Sequence, residues 1–437
     1  MNDFLATVEW ASLDAASRRA TLERPTALAS SDITADVRAI LAAVRERGDQ
    51  ALLAFSQQFD GVELSNVRVT AAEMRAAEAS LSSEVIEAID DAMANVRRFH
   101  EAQAPAAIEV ETVDGVVCQR VVRPIDRVGL YVPAGSAPLP STALMLAVPA
   151  QIAGCPVRVL CTPPNAQGAA DPTVLAVAAR AGIDAVFKVG GAQAIAAMAY
   201  GTESVSQVDR IFGPGNAWVT TAKTLVAAEI GGPAIDLPAG PSEVMVIADG
   251  DANAEFVAAD LLAQAEHDRL SQVLLVTDSD ALISRTRSAI TRQLDDRQRR
   301  SIIEQCLVNS AAIRVESLST AIDICNDYAP EHLILNCADA ARRVDDVRNA
   351  GSIFVGAWTP ESLGDYCSGT NHVLPTYGAA RALGGLGVGH FCRLMTVQTA
   401  SRGGLQRLAR TTETLANLEG LDAHAYAVSV RLEDEVA

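Results

Sequence analysis

Six histidines occur in the 437 residues, and four of them stand among groups with which they could do chemistry. In QAEH, Gln264 and His267 are three apart on a predicted helix, so both side chains face one point, as two ligands of one ion require. Neutral imidazole is a common zinc donor and amide or carboxylate oxygens are harder donors, so the set permits a metal; a capping or surface histidine has the same spacing. In APEHL, the adjacent Glu331 and His332 are groups that exchange protons near neutral pH when their surroundings tune them, as removing hydride from an alcohol requires. A solvated turn after Pro330 fits that pair equally well. Asp365 falls in ESLGDYCSGTNHVLP, where Gly364, Gly369 and Pro375 predict a tight loop that carries a carboxylate and His372 toward a site. His100 and His390 read as structural or surface residues.

These groups must be positioned by an α/β scaffold. Aromatic residues are only 4% of the chain, against 49% hydrophobic overall, so the core is built from Ala, Val, Ile and Leu. The length predicts two major domains. Near the N-terminus Val37, Ile40, Leu41 and Val44 recur at helical spacing with Gly48 as a stop, on a mostly helical opening segment. Apolar runs at Val128 to Val132, Val157 to Cys161, Ala185 to Val189 and Val208 to Phe212 then alternate with Ala-rich helical stretches, which implies a parallel sheet. The turns PAG (Pro133 to Gly135), GGAQ (Gly190 to Gln193) and GPGN (Gly213 to Asn216) follow these strands on one sheet edge, where backbone amides and helix N-termini favour a phosphate or dinucleotide. The incomplete GxGxxW of that last turn is weak evidence alone. A second series, at Val244 to Ala248, Val273 to Thr277, Ala312 to Val315 and Ser352 to Val355, predicts a second α/β unit. Beyond about Gly389 strand signals fade, and Leu405, Leu408, Leu415 and Leu418 form a helical stripe ending near Gly420, followed by a short helix carrying His424. Such a pair must pack on the body or on another subunit.

The net charge of -19 disfavours nucleic acid and acidic membrane surfaces, leaving a small molecule as the expected partner. The start lacks a basic then apolar leader, and the apolar stretch Ala143 to Leu160 is broken by Pro149, Gln151, Pro156 and Arg158, so a soluble cytoplasmic protein is expected. Eight cysteines without CxxC pairs suit a reducing compartment and read as small hydrophobes, not as a nucleophile or metal site.

Taken together, RVGLYVPAG, KVGGAQAIAAMAYGT, GPGN, IDLPAGPSEVMVIAD, DLLAQAEH, APEHL, GDYCSGTNHVLPTYG and LDAHAYAV resemble, in order and spacing, the histidinol dehydrogenase family. The resemblance implies two Rossmann-like parallel-sheet domains: 26–126 with 240–388, carrying most metal and acid/base residues, and 127–239, binding NAD. A helical extension, 1–25, precedes them, and a helical dimer arm, 389–437, follows. It implies one zinc per subunit on Gln264, His267, Asp365 and His424, the last donated across an intertwined homodimer. It makes Glu331 and His332 the acid/base pair, sets Ser242, His332, Asp365 and Glu419 around L-histidinol with the metal ligands, and brings NAD to Tyr131, Gln193 and Asn216. The implied reaction is oxidation of histidinol through its aldehyde to histidine. Departures are minor: His390 stands where relatives often carry an acidic residue, within the glycine-rich GGLGVGHF. Two other readings are a relative acting on another small alcohol, such as a sulfonated diol, and a zinc-stabilised binding protein without turnover.

Overall fold

The computed structural model describes residues 4–25, 31–134, 137–183, 185–237 and 240–433. Gly135, Pro238 and Ala239, which belong to turns singled out above, lie outside them. Strand β1 (Ala6–Glu9) opens the chain. After five α-helices among the described residues, β2 (Ile108–Val113) and β3 (Val116–Pro124) pair as an antiparallel hairpin. Then β4 (Arg127–Tyr131), β5 (Val157–Thr162), β6 (Ala185–Lys188), β7 (Arg210–Phe212) and β8 (Ala234–Ile235) form a parallel sheet in the order β6-β5-β4-β7-β8. Next, β9 (Glu243–Ala248), β10 (Gln272–Thr277), β11 (Ala311–Arg314), β12 (His332–Asn336) and β13 (Ser352–Val355) join β1 in a second parallel sheet, ordered β1-β11-β10-β9-β12-β13. Finally β14 (Cys392–Ala400) pairs antiparallel with β3.

Both parallel sheets are wound alike. With edge strand β1 set aside, the first strand is central, two more build outward on one side, and the chain returns to add two on the other. Each sheet therefore has a switch point, between β4 and β7 in one and between β9 and β12 in the other. Helical crossovers cover both faces, so each sheet separates two apolar cores, and β9, β10 and β12 are buried along their whole length.

Four features differ from the sequence expectation. The N-terminal extension contributes edge strand β1, paired with β11, in addition to its helix Ala15–Thr21. The helices of 31–102 pack on the five-stranded sheet: Val37, Ile40 and Val44 join the core of Ile195 and Val226, and Met93 and Val96 join that of Leu130 and Leu146, while contact with 240–388 runs through Asn95 to the Cys367 carbonyl and His100 to Asn371. His332 opens a buried central strand where a turn fitted its sequence equally well. Beyond Gly389 the chain does not become purely helical, because β14 runs for nine residues before the helices Arg402–Leu418 and Asp422–Glu433. Strand β14 is exposed along almost its whole length, so no alternation of buried and polar residues marks it in the sequence.

Candidate active site

The site residues gather at the amino edge of the six-stranded sheet, around its switch point. Helix Leu318–Tyr328 stops at Ala329, a non-glycine residue held at φ 54°, and Pro330 prevents the helix from resuming. Glu331 and His332 follow at once and enter β12. Across from them, a Cβ on Gly351 would lie 2.6 Å from the Glu331 carbonyl oxygen, so only glycine permits that approach.

The backbone of Glu243, which opens the neighbouring β9, holds both members of the pair. Its N–H donates to Glu331 Oε2 (2.9 Å), and its carbonyl lies 3.1 Å from His332 Nδ1. A carbonyl only accepts, so Nδ1 carries the proton and Nε2 the lone pair. Nε2 is buried, has no hydrogen-bond partner among the described residues, and points 3.7 Å from Asp365 Oδ1. Burial pushes the His332 imidazole down to about 3, keeping it neutral at ordinary pH, and raises the Glu331 carboxyl well above the usual range. The Glu243 side chain is fixed by Arg24 through a bidentate pair (2.6 and 2.8 Å) and by the Tyr377 N–H (2.7 Å), with the guanidinium 3.8 Å from the centre of the Tyr328 ring. Ser242 lies one residue before β9, at the same edge.

Gln264 occupies the last turn of helix Ala254–Ala265, while His267 lies two residues beyond its end, so the approach of the two depends on the chain's turn as well as on helical spacing. Asp365 is on a short helix, Glu361–Tyr366, and not in the loop expected from its glycines; Glu361, four residues earlier, shares its face. His267, Glu361 and Asp365 each offer a ligand atom within 4.8 Å of the others. Four buried carboxyls, Asp260, Glu331, Glu361 and Asp365, converge here, and among the described residues no Lys or Arg pairs with them. Burial raises Asp260 and Asp365 to about 7 and Glu361 well above the carboxylate range. Such a cluster has two remedies, protonation or a cation, and its oxygens and imidazoles are the donors a divalent transition metal takes. The residues fit a metal centre.

Beyond Asp365, His372 Nδ1 is 3.9 Å from Asp365 Oδ1, and His372 Nε2 is 3.5 Å from Thr142 Oγ1 on the helix that follows β4. This contact joins the amino edge of one sheet to the carboxyl edge of the other. On that second edge Tyr131 ends β4, with its hydroxyl accepting from the Gly191 N–H (3.0 Å), Gln193 is buried in the first turn after β6, and Asn216 caps the helix after β7 by accepting from Trp218 and Val219 N–H. Tyr131 and Asn216 border the β4/β7 switch point, the usual place for a nucleotide in an open parallel sheet, and Gln193 lies on the same edge beyond β6.

Asp60 also acts on this corner, its charge raising the Tyr131 hydroxyl together with the larger effect of burial. One Asp60 oxygen is buried without a hydrogen-bond partner among the described residues, and burial raises its carboxyl to about 6. A raised native value favours folding below the unfolded value and loses that stability as pH climbs through 6. Asp60→Asn should therefore melt close to the parent at pH 4 and be about 1–2 kcal/mol more stable at pH 8. A difference independent of pH would contradict this account.

The expected residues Glu419 and His424 are exposed on the C-terminal arm and are not brought to this cluster within the chain. Burial drives the Cys155 thiol up to about 11 and Cys161 up to about 12, which suits inert packing better than nucleophilic attack. Sequence reasoning missed Glu361, Asp260, Glu243 and Arg24. For Glu361 a signal existed, since the i, i+4 spacing to Asp365 would have shown in a helical reading of ESLGD.

A family model described as histidinol dehydrogenase matches residues 23–432. The chain belongs to the histidinol dehydrogenase family. It is 53% identical to the histidinol dehydrogenase of Xanthomonas oryzae over 425 residues, covering 97% of this chain and 98% of that one. It is also 53% identical to that of Vibrio cholerae over 429 residues, with 98% and 99% covered. The crystal structure of histidinol dehydrogenase from Elizabethkingia anophelis superposes with a TM-score of 0.94 at 43% identity, covering 98% of both chains. Histidinol dehydrogenase function follows from this agreement of family, relatives and fold, and the sulfonated-diol alternative is not favoured. No helix among the described residues is long and apolar enough to cross a membrane.

Proposed function

We propose that this oxidoreductase converts L-histidinol to L-histidine in two NAD-dependent steps, with one zinc ion per subunit. The observation that carries the reading is the lone pair of His332 Nε2, buried without a partner inside a cluster of four carboxyls that faces the carboxyl edge of the other sheet. Gln264, His267 and Asp365 would hold the metal, with His424 of the partner subunit as the fourth ligand. When bound, zinc would supply a fixed grip on the substrate, and Tyr131, Gln193 and Asn216 would hold NAD, the acceptor of hydride.

In the first step His332 Nε2 takes the hydroxyl proton, since an alkoxide releases hydride far more readily than an alcohol. The aldehyde then adds water, from which the free oxygen of Glu331 takes a proton, and the hydrate anion so formed loses a second hydride to give the acid, which releases its proton to solvent as the carboxylate. Ser242, Asp365 and His372 line the space beside the pair, and Glu419 of the partner subunit would close it. The arm needs such a partner: Leu418 is 79% and Tyr426 62% exposed on it, with Leu394 and Met395 exposed on β14. We place the metal and acid/base chemistry on the 240–388 unit, NAD on 127–239, and the protein in the cytoplasm.

The test is NADH formation from L-histidinol and NAD before and after chelation, with sedimentation run on the same preparation. Two NADH per histidinol, lost with the metal, restored by zinc and produced by a dimer, is the expected result. A folded, zinc-loaded dimer without turnover would point to a zinc-held binding protein, and a fully active monomer would refute the shared site.

A further inference from the structure

Glu361 is 1% exposed, opens the helix Glu361–Tyr366, and pairs with no Lys or Arg among the described residues. Burying a carboxyl in this way is costly, so its neighbours indicate what it does there. The chief one is the Gln264 carboxamide. With the amide nitrogen toward Glu361, that nitrogen lies 2.5 Å from Oε1, 3.1 Å from Oε2 and 3.1 Å from His332 Nδ1; because the Nδ1 proton is directed to the Glu243 carbonyl, only the two Glu361 oxygens accept from the amide, and the reverse orientation would set a carbonyl oxygen against both of them.

We infer that Glu361 is a positioning residue for the metal centre: by accepting from the Gln264 NH2, it turns the Gln264 oxygen away from itself and leaves it free to ligate. The inference rests on the reading of Gln264 as a metal ligand. The two ends of a carboxamide have nearly the same shape, yet only the oxygen binds a cation, and the amide nitrogen presents hydrogens that repel one. A neutral glutamine ligand therefore needs a neighbour that decides its orientation. An Asp ligand has no such ambiguity, since either of its two oxygens can bind, which explains why a carboxylate is spent on Gln264. Glu361 also lies within 4.8 Å of the His267 and Asp365 donor atoms, so its negative charge favours the cation from just outside the proposed ligand set.

Zinc dissociation constants, measured on the full-length dimer by competition with a chromophoric chelator, test this. Glu361→Gln keeps the volume but lets its own amide turn either way, so the Gln264 orientation is no longer decided; affinity should fall about 10–100-fold. Glu361→Ala should do the same in the parent but cost much less in a Gln264→Ala background, where only the loss of its charge still acts, because most of the effect runs through Gln264. The exchange Gln264→Glu with Glu361→Gln keeps the charge, restores an N–H donor facing an acceptor, and should recover most of the affinity. With cobalt in place of zinc, Glu361→Gln should weaken binding but, at saturation, keep the parent's visible bands. Additive losses in the two alanine variants, or cobalt bands altered by Glu361→Gln at saturation, would make Glu361 a direct ligand and overturn the inference. So would an unchanged zinc affinity in Glu361→Gln whose metal-free melting matches the parent. A parent that binds no zinc, or a Gln264→Ala variant that binds it undiminished, would instead refute the metal reading itself.

Discussion

His332→Asn is expected to lower the rate of the first oxidation by about 10²–10⁴-fold, the usual contribution of a positioned general base, while Glu331→Gln stops the chain at the aldehyde stage. Both replacements are conservative in this structure. An asparagine NH2 can still donate to the Glu243 carbonyl that now receives His332 Nδ1, and a glutamine oxygen can still accept from the Glu243 N–H. The backbone support survives, and what is lost is the lone pair of Nε2 in one case and a proton-accepting oxygen in the other. Single-turnover rates with histidinol and with its aldehyde, measured separately, distinguish the steps. If His332→Asn left alcohol oxidation at the parent rate and Glu331→Gln abolished it, the assigned roles would be reversed.

Lys223→Met is expected to destabilise the fold by about 3–5 kcal/mol, the range for breaking one side of a buried ion pair. Lys223 Nζ pairs with Asp236 Oδ1, and the two side chains are 3% and 1% exposed. Nζ also donates to the Gly213 carbonyl (2.9 Å), while Asp236 Oδ2 accepts from the Gly213 N–H (2.7 Å). The pair thus grips the GPGN turn at both polar groups of one residue, where a Cβ on Gly213 would lie 2.1 Å from the Tyr131 carbonyl oxygen. Methionine fills the volume but leaves Asp236 charged and unpaired. Urea unfolding would register the loss, and the KM for NAD should rise more than kcat falls, since the turn borders the proposed nucleotide site. Asp236→Asn added to Lys223→Met should recover part of the stability, because the stranded charge is gone. A loss below about 1 kcal/mol in the single variant would mean that water reaches the pair.

Much of this could be read from the chain. The eight expected strand runs all lie on parallel strands, the Val37 and Leu405 stripes lie on helices, and the three glycine-bearing turns all follow strands of one sheet. These are local signals: an apolar run between turn residues, or a 3.6-residue stripe, reports its own burial within a dozen residues. Where burial gave no local pattern, reading failed. Strand β14 has no buried face, β1 is a short edge, and the opening of β12 by His332 looks like a turn because Ala329 and Pro330 precede it. The residues proposed for NAD stand at the carboxyl ends of their sheet, where the general rule looks, whereas the acid/base and metal candidates stand at amino ends, where it does not.

The sequence by itself determined the family, the alternation of strands and helices, and which residue types were present to handle protons and a cation, because motifs and periodicity are written in consecutive residues. Only the tertiary structure decided how those residues act. Arg24 reaches Glu243 across 219 positions, and Glu243 in turn sets the Glu331 carboxylate and the His332 tautomer from a neighbouring strand. Glu361 becomes significant once Gln264 is beside it. Desolvation, pairing and tautomer depend on what lies opposite in space, and no spacing along the chain specifies that.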